Sequence, residues 1–181
     1  MSGQIFDESE GLVFTHAALV MIAYKWVLRN GCGVAFREFR SYACNGEYPD
    51  VIGFSSGGHS TLIECKATRS DFLADKKKSF RMTPELGMGS YRFFCAPKGL
   101  IKSEELPSGW GLIEVNAKGE PICKINPWRG WHVRGNRNQK NWKAEHGLMY
   151  SALRRLHLRG RIEEVYGQQE DIAPETPPEL F

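Results

Sequence analysis

The chain lacks several features that would assign it a class at once. It has five cysteines, at 32, 44, 65, 95 and 123; no two form a C-x-x-C pair and the number is odd. That fits a disulfide framework or a zinc site poorly. Reduced, buried thiols in a cytoplasmic protein are the expectation. The histidines show no H-x-x-x-H spacing. The glycine-rich stretch SSGGHS has neither the spacing nor the lysine of a phosphate-cradling loop, so no nucleotide cofactor is expected. The longest apolar stretch, HAALVMIAYKWVL, is too short to cross a bilayer and Lys25 interrupts it, so no membrane partner is expected. The first residues, MSGQIFDESE, carry no basic region, and no signal peptide is expected. There is no internal repeat. The net charge of +3 is too small to point to a partner by itself.

What is present suggests one α/β domain. The 181 residues suffice to bury a sizeable core. Thr15 can cap a helix from about His16 to Arg29, closed by Gly31. Residues 33–40, 51–54 and 61–67 read as three strands, the last two joined by SSGGHS as a hairpin. Ser70 followed by acids and then lysines reads as the cap of a second helix, with Phe72 and Leu73 on its buried side. Residues 91–96 form a strand-like run, and the strand, helix, strand order predicts a parallel pair. Residues 111–115 and 122–125 are short strands. A long helix is expected from Asn138 to Leu158, with Trp142, Leu148, Met149, Ala152, Leu153 and Leu156 as its apolar positions. From 168 the chain turns rich in proline and acid, which predicts a disordered acidic tail over 168–181. The architecture is therefore α-β-β-β-α-β, a mixed sheet flanked by helices, with further strands and a C-terminal helix.

Within that frame residues 48–71, YPDVIGFSSGGHSTLIECKATRSD, place charges where a core would exclude them. On a strand, alternate side chains share a face. Glu64 and Lys66 therefore project to the same side as Leu62, roughly 7 Å apart. If the hairpin pairs the second and third strands, Asp50 lies beside them. Two carboxylates can hold Mg2+, which prefers oxygen ligands and keeps several waters. The Cys65 backbone carbonyl is a natural further ligand. Bound there, the ion would polarise a phosphoryl oxygen and acidify a water, while the lysine stabilises the charge that develops.

Pro49-Asp50, followed after a hairpin-length gap by Glu64-Cys65-Lys66, resembles the PD-(D/E)xK nuclease superfamily. IECKATRSDFLADKKK is also similar to a small-protein branch of it associated with phage and bacterial DNA metabolism. Glu-x-Lys alone is common on surface strands; its combination with Pro-Asp, a preceding helix and a following strand-rich segment carries the resemblance, which covers about residues 10–115. It implies a restriction-endonuclease-like core within one nuclease-like domain over 1–167, of which 116–167 form a C-terminal extension. It implies a Mg2+-dependent deoxyribonuclease, with Mn2+ as a substitute ion and an endonuclease rather than an exonuclease, serving DNA repair, recombination or phage DNA processing. Asp50 and Glu64 become metal ligands and Lys66 the catalytic lysine. Many members use a further acid on or near the first helix. This helix has none, so Glu38 on the first strand ranks slightly above Glu10 as the third acid, and the number of metal ions stays open.

For DNA contact the candidates are Arg69 and Ser70 at the start of the second helix, Lys76 and Lys77 in a basic run, and Arg134, Arg137 and Lys140 in a segment where tryptophans alternate with cations. For Ser70 an ordinary helix cap is the simpler role, and for the lysine run a solvated helix face. His59 lies in the hairpin turn near the proposed site and is expected to be merely exposed. One site per chain suits a nicking monomer or a cutting homodimer. The acidic tail, ending Glu179-Leu180-Phe181, is a candidate dock for a protein partner, although a solvated end is the simpler reading. The rival to an enzyme is a catalytically silent nucleic-acid-binding module on the same fold.

Overall fold

The computed structural model describes residues 14–41, 46–75, 78, 83–127 and 139–167. The expected tail at 168–181 lies outside them. Helix α1 runs His16–Arg29. It is followed by β1 Val34–Arg37, β2 Val51–Phe54, β3 Ser60–Cys65, α2 Arg69–Asp75, β4 Tyr91–Pro97, β5 Trp110–Val115, β6 Pro121–Ile125 and α3 Trp142–Leu158. The expected order α-β-β-β-α-β, two further strands and a C-terminal helix is thus the order found. The six strands form one mixed sheet in chain order. The first three are antiparallel, β3, β4 and β5 are parallel, and β6 returns antiparallel.

Side-chain alternation divides the core in two. Val51, Ile63, Cys65, Phe93, Cys95, Ile113 and Val115 face α1, which offers Leu19, Val20, Ala23 and Val27 as one stripe. Ile52, Leu62, Phe94 and Leu112 face the other side, where Phe72 of α2 and Ala144 and Leu148 of α3 cover them. Thr15 caps α1 by accepting from the Ala18 N–H at 3.2 Å. The approach of α1 to the sheet is set at Gly53, where a Cβ would lie 2.8 Å from both Cys32 Sγ and Val27 Cγ2. Cys32, Cys65 and Cys95 are buried free thiols.

Five local expectations need correction. Strand β1 stops at Arg37, not Arg40, because Glu38 takes a positive φ of 46° that breaks the extended run. Thr68, not Ser70, caps α2: its hydroxyl accepts from the Asp71 N–H at 3.2 Å, and Ser70 falls inside the first turn. Leu73 is exposed, and Asp75 takes the place expected of it on the buried side of α2. Helix α3 starts at Trp142, because the Asn141 side chain caps it by accepting from the Ala144 N–H at 3.0 Å. Three of its expected apolar positions, Trp142, Met149 and Leu153, face outward.

Gly53→Ala is expected to lower stability by about 1–3 kcal/mol, the usual cost of overpacking a filled core. Urea denaturation checks this, and an unchanged midpoint would contradict the close approach of α1 to β2.

Candidate active site

Asp50, Glu64 and Lys66 do meet, at the end of β3 away from the hairpin turn. The register pairs Val51 with Ile63, so Asp50 falls beside the exit of β3. There its side chain stands in for a strand: the Cys65 N–H donates to Asp50 Oδ2 at 2.7 Å. The next amide, of Lys66, donates the other way, to the Cys95 carbonyl in β4 at 2.9 Å. Extended backbone points the N–H and C=O of one residue to the same side. The Cys65 carbonyl is therefore directed toward Asp50, as a metal ligand there would require.

Glu64 and Lys66 project to the α2 side, and both are almost wholly buried. Lys66 Nζ donates to Asp75 Oδ1 at 2.9 Å and to Glu64 Oε2 at 3.4 Å. Asp75 is only 2% exposed. Lys78 reaches into the same group, with Nζ 2.8 Å from Asp75 Oδ1 and 3.5 Å from Glu64 Oε2. Two acids and two ammonium groups thus form one network. A buried carboxylate is tolerated only when paired, and this network supplies the pairing.

The start of α1 closes the other side. His16 Nε2 lies 3.3 Å from Asp50 Oδ1 and 3.8 Å from Glu38 Oε1. Helix α1 has no acid in its first turn, so these two carboxylates supply the negative charge that a helix start favours. Glu38 therefore does stand beside Asp50, through His16, while its side chain stays largely exposed. Burial, and then the charge of Glu64, push the Asp50 carboxyl up to about 6, against the pull of the Cys65 N–H, His16 and Lys66. The Cys65 thiol is also pushed up, by its hydrogen bond with Cys95 and by burial, so it is no nucleophile.

These groups line a pocket of about 290 Å³, completed by Tyr48, Asp71 and Ala74. A larger cavity of about 480 Å³ at the other end of α1 is lined by Trp26, Asn30, Thr61, Tyr91, Phe93, Cys123 and Asn126. Those residues include no carboxylate and no cation.

Among the described residues no three of His, Cys, Asp and Glu gather in a ready metal cluster. Of the carboxylates that line the smaller pocket, those of Asp50 and Glu64 stand with the Cys65 peptide carbonyl at the exit of β3. Such oxygens could hold a hard, partly hydrated ion and would not cage a structural zinc. Burial raises the Asp50 carboxyl most; the Glu64 charge, which adds to it, is the part such an ion would relieve.

The other candidate residues divide. The Arg69 guanidinium is held by the Glu105 carboxylate, with Nη1 to Oε2 at 2.7 Å, and lies over the Phe72 ring. The Ser70 hydroxyl meets Thr68 Oγ1 at 3.0 Å. Lys140 sits at the opposite end of β3, where Nζ donates to Glu145 Oε2 at 2.8 Å and to Ser60 Oγ and the Gly58 carbonyl at 3.2 Å. It ties α3 to the hairpin. His59 also belongs to that far end, against the Tyr91 ring, so its expected nearness to the site is wrong. Glu10, Lys76, Lys77, Arg134 and Arg137 lie outside the described residues.

Sequence reasoning missed Asp75 and His16, and it left Lys78 on a solvated face. One signal was readable. Asp75 lies three residues after Phe72, which puts an acid on the buried stripe of a short helix.

No family model and no curated protein matches the chain. Among solved structures, a protein of unknown function from Silicibacter pomeroyi superposes with a TM-score of 0.56 at 21% identity, covering 87% of this chain and 97% of that one. At that identity the likeness shows the fold alone.

Asp50 ionises at a cost, because its folded carboxyl titrates near 6 against an ordinary 3.8. The penalty is absent below the ordinary value and complete above the raised one. In EDTA, Asp50→Asn, which can still accept from the Cys65 N–H, should be about 2–3 kcal/mol more stable than wild type near pH 8. The gain should vanish near pH 4. Melting curves across that range check it, and a gain that grows toward acid would contradict the sign.

Proposed function

We propose that the protein is a metal-dependent nuclease that hydrolyses phosphodiester bonds in DNA, as its resemblance to the PD-(D/E)xK superfamily implies. The observation that carries the reading is the meeting of Asp50, Glu64 and Lys66 at one sheet end, with the Cys65 carbonyl directed to the same place. Asp50, Glu64 and that carbonyl would hold Mg2+ or Mn2+. When bound, the ion supplies Lewis-acid polarisation of the phosphate and an acidified water. Lys66 donates hydrogen bonds to the phosphoryl oxygen on which charge develops. Glu38, reaching Asp50 through His16, is the better placed third acid.

Endonucleolytic cutting fits a pocket at the end of the sheet, and DNA repair, recombination or phage DNA processing are the settings it suits. Among the described residues no helix is long and apolar enough to cross a membrane; a cytoplasmic location belongs to the same proposal. One observation favours the rival, a silent DNA-binding module. Lys66 and Lys78 already balance Glu64 and Asp75, as in a purely structural network.

Cleavage of labelled duplex, single-stranded, forked and RNA substrates with Mg2+, Mn2+ or EDTA separates the two. Metal-dependent cutting that falls at least about a hundredfold in both Lys66→Ala and Asp50→Ala is expected. Binding without cutting under every metal would establish the rival. Cutting that survives both substitutions would sink the assigned site.

A further inference from the structure

We propose that Lys78 is a displaceable counter-ion marking the seat of the metal, and that Asp75 is the fixed anchor that keeps Lys66 in place when the metal arrives. This rests on the nuclease reading and assigns the two residues it leaves unexplained.

The four charges are not equivalent. Lys66 rises from the strand, its side chain is 8% exposed, and its shorter contact is with Asp75, 2.9 Å against 3.4 Å for Glu64. Asp75 itself is a helix residue with a side chain 1% exposed. Both are locked by packing. Lys78 comes from beyond the end of α2 and its side chain is 42% exposed; it lies 2.8 Å from Asp75 and, at the longest of the four contacts, 3.5 Å from Glu64. An exposed ammonium on a flexible stem can withdraw into water at little cost. Lys66 cannot.

The oxygen that Lys78 touches on Glu64 is Oε2, which Lys66 also touches at 3.4 Å, so an ion on that carboxylate would meet both ammonium groups, of which Lys78 is the more exposed. One cation must yield to the other, since an ammonium and a divalent ion sharing one carboxylate oxygen repel strongly at low dielectric. With Lys78 withdrawn, Glu64 loses one of its two ammonium contacts and keeps the longer of those that Lys66 makes, at 3.4 Å. Lys66 keeps its hydrogen bond to Asp75 and stays aimed into the pocket. Asp75 is thus a positioning residue, acting through Lys66, and Lys78 sets the metal affinity.

Lys78→Gln tests this. The position is exposed, so the variant is expected to fold, with circular dichroism as the check. Mn2+ binding is measured by electron paramagnetic resonance of the free ion, beside melting in EDTA and in Mn2+. Removing the competitor should tighten Mn2+ about tenfold. It should lower the melting temperature in EDTA, where Glu64 and Asp75 lose a counter-charge, and Mn2+ should restore it. Asp75→Asn should keep Mn2+ binding while kcat falls with KM unchanged. An unchanged or weaker Mn2+ affinity in Lys78→Gln, with Mn2+ still lost in Glu64→Gln, overturns this proposal and leaves the nuclease reading standing. Mn2+ binding that ignores both Glu64→Gln and Asp50→Asn, or no binding even in Lys78→Gln, overturns the nuclease reading and this proposal with it.

Discussion

The Lys66 ammonium, held between Glu64 and Asp75, is the contact on which this end of the molecule depends. Both carboxylates lie beneath protein, where an unpaired charge would cost several kcal/mol. The ammonium makes them tolerable, and in doing so it joins the exit of β3 to the end of α2. Without it the short helix would present an acid to an apolar stripe. More of the hold of α2 on the sheet would then fall to Phe72, packed edge-on against Phe94.

The second constraint is on the backbone. Strand β3 pairs antiparallel with β2 and parallel with β4, so its last residues must satisfy neighbours of both kinds. At Cys65 the β2 side has run out of strand, and the Asp50 carboxylate supplies the missing acceptor. A side chain in a ladder position is rigid. It fixes one oxygen on the amide and leaves the other toward His16 and solvent. A group needed for structure is thereby also set in place for chemistry, and burial together with the Glu64 charge raises its carboxyl.

Much of this was readable from local patterns. The Val51–Phe54 and Leu62–Cys65 runs, with SSGGHS between them, specify a hairpin, and a hairpin of that register brings Asp50 to Glu64. The parallel neighbour followed from the intervening helix. The unreadable parts depended on which helix face is covered. Periodicity marks Trp142, Met149 and Leu153 as a stripe but cannot say that Gly147 and Leu148 make the contact and leave them outside. The same limit hid Asp75, since an acid followed by lysines suggests a solvated turn until the helix is seen lying on the sheet. His16 was hidden because its partners, Glu38 just after β1 and Asp50 just before β2, lie more than twenty residues on. Helix caps were misassigned wherever two hydroxyls compete, as at Thr68 and Ser70, because both residues are good caps and only backbone geometry chooses between them.

The most direct measurement is a crystal structure of the protein soaked in Mn2+, recorded at a wavelength where manganese scatters anomalously. One strong anomalous peak is expected in contact with Asp50, Glu64 and the Cys65 carbonyl, with Lys66 still on Asp75. No peak at that sheet end, with Glu64 still closed by Lys66 and Lys78, would contradict the assignment of this pocket as a metal-dependent active site.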